Sequence, residues 1–585
     1  MAAIIAAAIL GFAALLYLGG MLAQLQRNYE LWMNSGGLTG HAVIGTVDWN
    51  PIVCLSSAFS IPGLKSIGML LLIGAGITAY VRFHDKFSSK DYDERGFTRS
   101  KYGTYGTASW MKDKELKEIL EIKPPSQADG IILGEKNGGV VCLPKDTRLN
   151  RHIAVFGASG TRKSRGVIRP ALFTILKRGE SAVITDPKAE LYNDTAELFR
   201  KNGYEVKVFN LVDPRHGDSW NCMSDLNGDT LLAQVLTNVI ISNTSEGKGD
   251  HFWDNGEANL LKALVLYIDL DRSRSPETRN LAAAYQLLTQ NSERQLTALF
   301  EKLPLDHPAR APFNLFSQAS DTVRSGIVLG LGTRLQVLQN EAVRNIISHS
   351  DIDLTAPGKR KCAYFVILSD QDATMAFLSS LFFSFLFIKL VRYADSTPEL
   401  RCKVPVNLIF DEFNNVGKLG GAADGSDFAR TLSVIRSRAI YVMLAVQSLG
   451  QLQNRYPNNL WAEIIGNLDV QLMLGCTDEV SAEYFSARSG DMSVEINSTM
   501  TVRKTIAVAQ VIPQYRQTEG QGRRRLLTPD EVLRIPNEEL LVVIRGHNVL
   551  KLKKFDYTDH PLSKELVPAS ILDYTPSHTD APASQ

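Results

Sequence analysis

Two long apolar stretches open the chain, and short apolar runs alternating with amphipathic segments follow them. Ala2 to Ala23 carries no charge, and the stretch from about Ile61 to Val81 is broken only by Lys65 near its start. About 20 apolar residues span the roughly 30 Å hydrocarbon layer as a helix, and a lysine at one end can extend its ammonium to the interface. A cleaved signal peptide wants a basic start, yet no Lys or Arg precedes Arg27, which favours a retained helix. Arg82, Lys86, Lys90, Arg95, Arg99 and Lys101 crowd the positions after the second stretch, whereas Arg27 is the only Lys or Arg in residues 24–60. Basic residues collect on the cytoplasmic side, so the pattern predicts a two-span hairpin anchor over 1–85, with spans at about 2–23 and 61–81 and the bulk of the chain inside the cell.

Beyond the anchor, seven apolar runs read as buried strands: 152–156, 181–185, 363–368, 404–410, 440–446, 469–476 and 539–546. Helical spacing separates them, which predicts a largely parallel α/β sheet. Residues 216–345 repeat helical apolar spacing with no strand-like run and read as a helical bundle. The segment from about 561 is rich in Pro, Ser, Ala and Asp and reads as a mobile tail, 561–585.

Composition narrows the class without naming it. Hydrophobic residues at 44% and charged residues at 21% exclude a mostly disordered chain. Lys and Arg total 63 against 62 acids, a net charge of +1, so any surface for nucleic acid must be local. The six cysteines make no CxxC pair, which argues against a disulfide scaffold and a structural zinc site.

The chemistry concentrates in a few segments. In HIAVFGASGTRKSRGVIRPALF, an apolar strand leads into Gly157, Ala158, Ser159, Gly160, Thr161, Arg162, Lys163 and Ser164, and a helix follows. Strand, glycine loop and helix is the setting of a phosphate loop, in which backbone N–H groups and the helix N-terminus close on phosphate oxygens. Lys163 would reach the β- and γ-phosphates and Ser164 would ligate magnesium. Arg162 stands where the usual GxxxxGK[ST] pattern has glycine, and its side chain must find room beside the phosphates, as an added cation or as a brake. VPVNLIFDEF supplies a second half: an apolar strand ending in Asp411, suited to magnesium, and Glu412, suited to preparing the attacking water. Gln447 closes the strand at 440–446, where it would sense a γ-phosphate or cap the next helix. Arg436 and Arg438 precede that strand as either an arginine finger or a solvated basic turn. Asp186-Pro187-Lys188 ends the strand at 181–185 and reads as a proline-started helix. Together these segments predict a RecA-like nucleotide-binding sheet.

Taken in order, YGTASW, GASGTRKSRG, ITDPKAELY, HFWDNGEANLLKAL, FDEFNNVGKL, RSRAIYVMLAVQSLGQL and LLTPDEVLRIP resemble the type IV coupling proteins of conjugative transfer, the TraG-like membrane ATPases, in their Gram-positive form. The resemblance spans nearly the whole chain. It implies an ATP- and Mg2+-dependent, hexameric cell-membrane ATPase with its large domain in the cytoplasm. Such a protein binds DNA with little sequence preference and brings a relaxase–DNA complex to a type IV secretion channel. It also implies a RecA-like domain built from 86–215 and 346–560, with an all-α domain, 216–345, inserted between its halves. Lys163, Ser164, Asp411, Glu412 and Gln447 match the family's motif positions, and Arg436 matches the arginine proposed to act on a neighbouring subunit.

A cationic track for DNA is offered by Arg523, Arg524 and Arg525 with Tyr515 and Arg516 nearby, against the reading of a solvated loop. Two rivals stand beside the coupling protein. An FtsK-like translocase would carry more spans and a terminal winged helix, neither evident here. A docking receptor that binds nucleotide but barely hydrolyses it has Arg162 in its favour.

Overall fold

The computed structural model describes residues 2–35, 45–87, 91–245, 251–369, 374–422, 425–502 and 514–576. They form two compact units, Met1–Tyr102 with Val494–Gln521, and Gly103–Ser493 with Gly522–Gln585. The strands, in chain order, are β1 Asp91–Asp93, β2 Phe97–Arg99, β3 Glu121–Lys123, β4 Ile131–Lys136, β5 Gly139–Leu143, β6 Ile153–Phe156, β7 Ser181–Thr185, β8 Glu205–Asn210, β9 Cys362–Ile367, β10 Val406–Phe410, β11 Ile440–Val446, β12 Val470–Met473, β13 Asp491–Val502, β14 Gln514–Arg525, β15 Glu539–Ile544 and β16 Leu550–Lys553.

In the first unit, helices Ala2–Asn34 and Ile61–Phe87 cover the two long apolar stretches of the sequence. A short helix, Pro51–Ala58, lies between them in sequence; it was not expected, and its start is set by the Asn50 side chain accepting the Ile52 N–H at 3.0 Å. Small residues let these helices approach: a Cβ on Gly20 would lie 1.8 Å from the Cys54 carbonyl oxygen. Ile61–Thr78 is long and apolar enough to cross a bilayer, and its Leu64, Met69, Leu72 and Ile77 are exposed. Helix Ala376–Ser396 is similarly apolar, yet two-thirds of it is buried, as befits a core helix of the second unit. A four-stranded sheet in the order β1-β2-β13-β14 accompanies the helices.

The second unit is built on a sheet in the order β3-β5-β4-β16-β15-β12-β6-β11-β10-β7-β9-β8. From β12 to β8 every neighbouring pair is parallel, and from β15 to β3 every pair is antiparallel. All residues of β6, β7, β9, β10 and β12 are buried, as strands covered on both faces must be, which is why they read as unbroken apolar runs. Ile153, Val155, Ile184, Ile409, Ala445 and Leu472 of the sheet pack with Ile168, Leu172 and Ile175 of the segment after the phosphate loop.

All seven expected strands are present, β15 among them as an antiparallel neighbour of β12, and β3, β4, β5, β8 and β16 come in addition. Between β8 and β9 the described residues hold a series of helices and no strand.

The chain past 560 corrects one expectation. Residues 561–576, anticipated as tail, pack on the second unit. Ala569 N–H donates to the Asn193 carbonyl at 2.8 Å, Ile571 N–H to Asn193 Oδ1 at 3.0 Å, and the Tyr574 hydroxyl to the buried Asp218 carboxylate at 2.5 Å. Residues 577–585 lie outside the described residues.

Candidate nucleotide site

Parallel register assembles the site. Phe156 pairs with Val446, Phe410 with Leu444 and with Thr185, so the residues that follow β6, β11, β10 and β7 emerge along one edge of the sheet. That edge carries the loop 157–164, Gln447, Asp411 with Glu412, and Asp186. Ligands of open α/β sheets bind at the carboxyl ends of the strands.

The phosphate loop has the backbone its sequence calls for. A Cβ on Gly157 would lie 2.4 Å from Thr161 Oγ1, so only glycine fits where the loop leaves β6. Gly160 is left-handed at φ +80°, and Arg162 is left-handed at φ +69°. Lys163 is buried and donates from Nζ to the Gly157 carbonyl at 2.7 Å, so its ammonium is held across the loop's mouth by a neutral partner. Burial pulls its pKa down, opposed by the charges of Asp411 and Glu412. Ser164 begins a π-helical turn, Ser164–Ile168, that runs into helix Arg169–Arg178.

Ser164 Oγ donates to Asp411 Oδ2 at 3.0 Å, joining residues 247 positions apart. Asp411 is buried, and burial raises its pKa, offset mainly by the Ser164 hydrogen bond and the Lys163 charge. Thr185 Oγ1 fixes its backbone by donating to the Asp411 carbonyl at 2.8 Å. Glu412 is left-handed at φ +57°, and its Oε1 accepts from Gln447 Nε2 at 3.0 Å. The next helix, Leu449–Arg455, is capped by Ser448, so Gln447 faces the acid and not the helix.

Arg162 departs from expectation. Its side chain turns away from the cradle and forms a paired bond to Glu538, 2.9 Å on each nitrogen. Lys554 Nζ reaches the same loop, donating to the Thr161 carbonyl at 2.9 Å. Burial and the Arg162 charge pull the Lys554 pKa down to about 8.

A cavity of about 230 Å3 opens between this loop and the two acids. Five charged residues of its lining were not read as functional from sequence: Arg165, Arg169, Asp186, Lys188 and Glu190. The arginines share one face at i, i+4 spacing, a signal present in the sequence. Asp186 is buried, which raises its pKa to about 7, and it accepts the Tyr192 N–H at 2.8 Å.

Arg436 is not brought to this edge. It lies in the turn before β11, at the opposite end of the parallel strands, and donates to the Arg148 carbonyl at 2.9 Å. The arginine run lies at the end of β14 and not in a loop: Arg523 pairs with Asp491, Arg524 with Glu531 and Arg525 with Glu483, each at 2.6 Å. The side chains of Tyr515 and Arg516 lie outside the described residues.

A family model described as type IV secretory system conjugative DNA transfer matches residues 108–581. The chain belongs to that family. Among its relatives is the protein VirD4 of Agrobacterium fabrum, 24% identical over 483 residues that cover 80% of this chain and 68% of that one. The conjugal transfer protein TraG of Escherichia coli is 22% identical over 559 residues, 86% of this chain and 84% of the relative. The plasmid coupling protein TrwB, solved with the ATP analogue ADPNP, shares the fold at a TM-score of 0.57 and 19% identity, over 80% of this chain and 96% of that one. The family match begins at residue 108 and so contains the phosphate loop, both acids and Gln447.

Proposed function

We propose that this chain is the coupling ATPase of a conjugative type IV secretion system, hydrolysing ATP to drive or gate DNA transfer. The observation that carries the reading is the 3.0 Å bond between Ser164 and Asp411 beside the buried Lys163 ammonium. A phosphate loop and an acid-tipped strand thereby meet in one cavity, as nucleotide hydrolysis requires.

Each residue has a task in that chemistry. Backbone N–H groups of 158–164 cradle the phosphates, and Lys163 exchanges its carbonyl partner for a phosphate oxygen. Ser164 and Asp411 offer the hard oxygen donors that suit magnesium, which takes few protein ligands; among the described residues no cluster of three or more acids, His or Cys competes with them. Bound there, the ion would supply positive charge against the negative charge that develops on the phosphates. Glu412, oriented by Gln447, takes the proton of the attacking water.

Arg436, remote from its own chain's cavity, is suited to a neighbouring subunit's nucleotide in a hexameric ring. The two long apolar helices would anchor the chain in the cell membrane with the α/β unit in the cytoplasm. Relaxase-bound DNA is the cargo, delivered to the secretion channel. Arg162 was the feature favouring a receptor with little turnover; held by Glu538, it leaves the cradle clear.

Phosphate release by the full-length protein in detergent, with and without DNA, tests the reading. Wild type should hydrolyse ATP and respond to DNA, while Lys163→Ala and Glu412→Gln should fall by about a hundredfold or more. Equal, background-level release from all three would overturn it.

A further inference from the structure

The cations lining the cavity differ in what holds them. Arg162 is engaged by Glu538, Arg165 by Asp556 at 2.9 Å, and Arg169 by Asp194 with Glu190 at 3.7 Å. In each of these pairs a carboxylate lies beside the guanidinium and offsets its pull on a second anion. Lys163 is bonded only to a neutral carbonyl. The remaining cation is Lys188, and among the described residues its ammonium pairs with no carboxylate. Among the described residues, the lining cations without a carboxylate partner are therefore two lysines.

They reach the cavity from different walls. Lys163 follows β6, and Lys188 follows β7, three strands along the sheet, with Asp411 and Glu412 after β10 between them. At about 4.8 Å per strand, the two strand ends stand roughly 14 Å apart, within reach of two lysines facing one phosphate chain.

The turn that presents Lys188 is built for it. The buried Asp186 carboxylate anchors the far side by accepting the Tyr192 N–H at 2.8 Å. Pro187 fixes its own φ. Ala189, buried and not glycine, is left-handed at φ +55°, which throws Lys188 out of the helix that starts at Glu190. Left-handed non-glycine residues persist where the surroundings hold them, and they gather at functional sites.

We propose that Lys188 is a second phosphate-binding cation of this site, contacting the terminal phosphate of a nucleoside triphosphate from the wall opposite Lys163. The inference rests on the nucleotide reading above and deepens it: Lys188 makes the site discriminate triphosphate from diphosphate. Lys163 feels this second charge, which adds to the downward pull that burial exerts on its pKa.

The test is equilibrium binding of Mg2+–ATP and of ADP to the full-length protein in detergent, for wild type, Lys188→Ala and Lys188→Arg, with hydrolysis beside it. Loss of one charge-assisted bond should weaken ATP binding by about tenfold or more, leave ADP binding within about twofold, and lower turnover. Arginine should restore most of the preference for ATP. Lys188 is exposed and unpaired among the described residues, so its removal should leave the melting temperature unchanged. Wild-type binding together with an unaltered ATP-to-ADP ratio in Lys188→Ala overturns the inference alone. A wild-type chain that binds neither nucleotide overturns the nucleotide reading and the inference with it.

Discussion

A glycine usually precedes the lysine of a phosphate loop because the backbone turns left-handed there, and Arg162 makes that turn at φ +69°. For a residue with a Cβ the conformation costs roughly 1–2 kcal/mol. Its pair with Glu538 is partly exposed, at 37% and 66% of the two side chains, so solvent screening leaves it worth about 0–1 kcal/mol. The pair does not offset the turn, and the arginine adds no cation at the phosphates. Replacing Arg162 by glycine is therefore expected to leave nucleotide affinity within about twofold and the melting temperature no lower. Titration and thermal melting check this, and a tenfold gain in turnover would show a brake that the geometry does not contain. Residue identity made Lys163, Ser164, Asp411 and Glu412 legible, because each names its own chemistry. Lys188 was illegible for the opposite reason: its task depends on a left-handed Ala189 and a buried Asp186, and Asp-Pro-Lys alone spells only a helix start.

At the scale of elements, legibility followed burial. Strands covered on both faces, such as β6 and β10, leave unbroken apolar runs. Strand β16 alternates buried and exposed over Leu550–Lys553, and β3 has three residues, so neither outweighs the pattern of a loop. The helical stretch between β8 and β9 was legible because 3.6-residue spacing recurs through it with no competing period. The segment 561–576 went astray because its composition is that of a tail, whereas what fixes it is a handful of specific bonds. The strongest joins the Tyr574 hydroxyl to Asp218, which is fully buried and also accepts the Val208 N–H of β8 at 2.9 Å. Tyr574→Phe keeps the ring and removes the donor to a buried carboxylate, a loss of about 1.5–3 kcal/mol. The melting temperature should fall accordingly, while ATP hydrolysis below the transition stays at wild-type level, since no residue of the cavity is touched. An unchanged melting temperature would mean that the segment is as loose as its composition suggested.

At the scale of the whole molecule, the position of Arg436 bears on assembly. It precedes β11 while Gln447 follows it, and the six steps between the strand's seven residues, at about 3.3 Å each, set its two ends roughly 20 Å apart. One chain cannot bring both to the same phosphate. In a ring whose neighbours meet head to tail, one subunit's sheet edge would face a different surface of the next, and the proposed role of Arg436 requires a site completed across that interface. This makes a mixing experiment decisive. Arg436→Ala should bind ATP normally yet hydrolyse it slowly, because its own Lys163, Asp411 and Glu412 are intact and only its service to a neighbour is lost. Glu412→Gln should also be slow, with its own site disabled and its Arg436 intact. Co-assembled, the two variants create interfaces at which an intact Glu412 of one subunit meets an intact Arg436 of the other, and phosphate release should rise above either variant alone. An arginine acting within its own chain would give no such gain, because every subunit in the mixture would still lack one of the two groups.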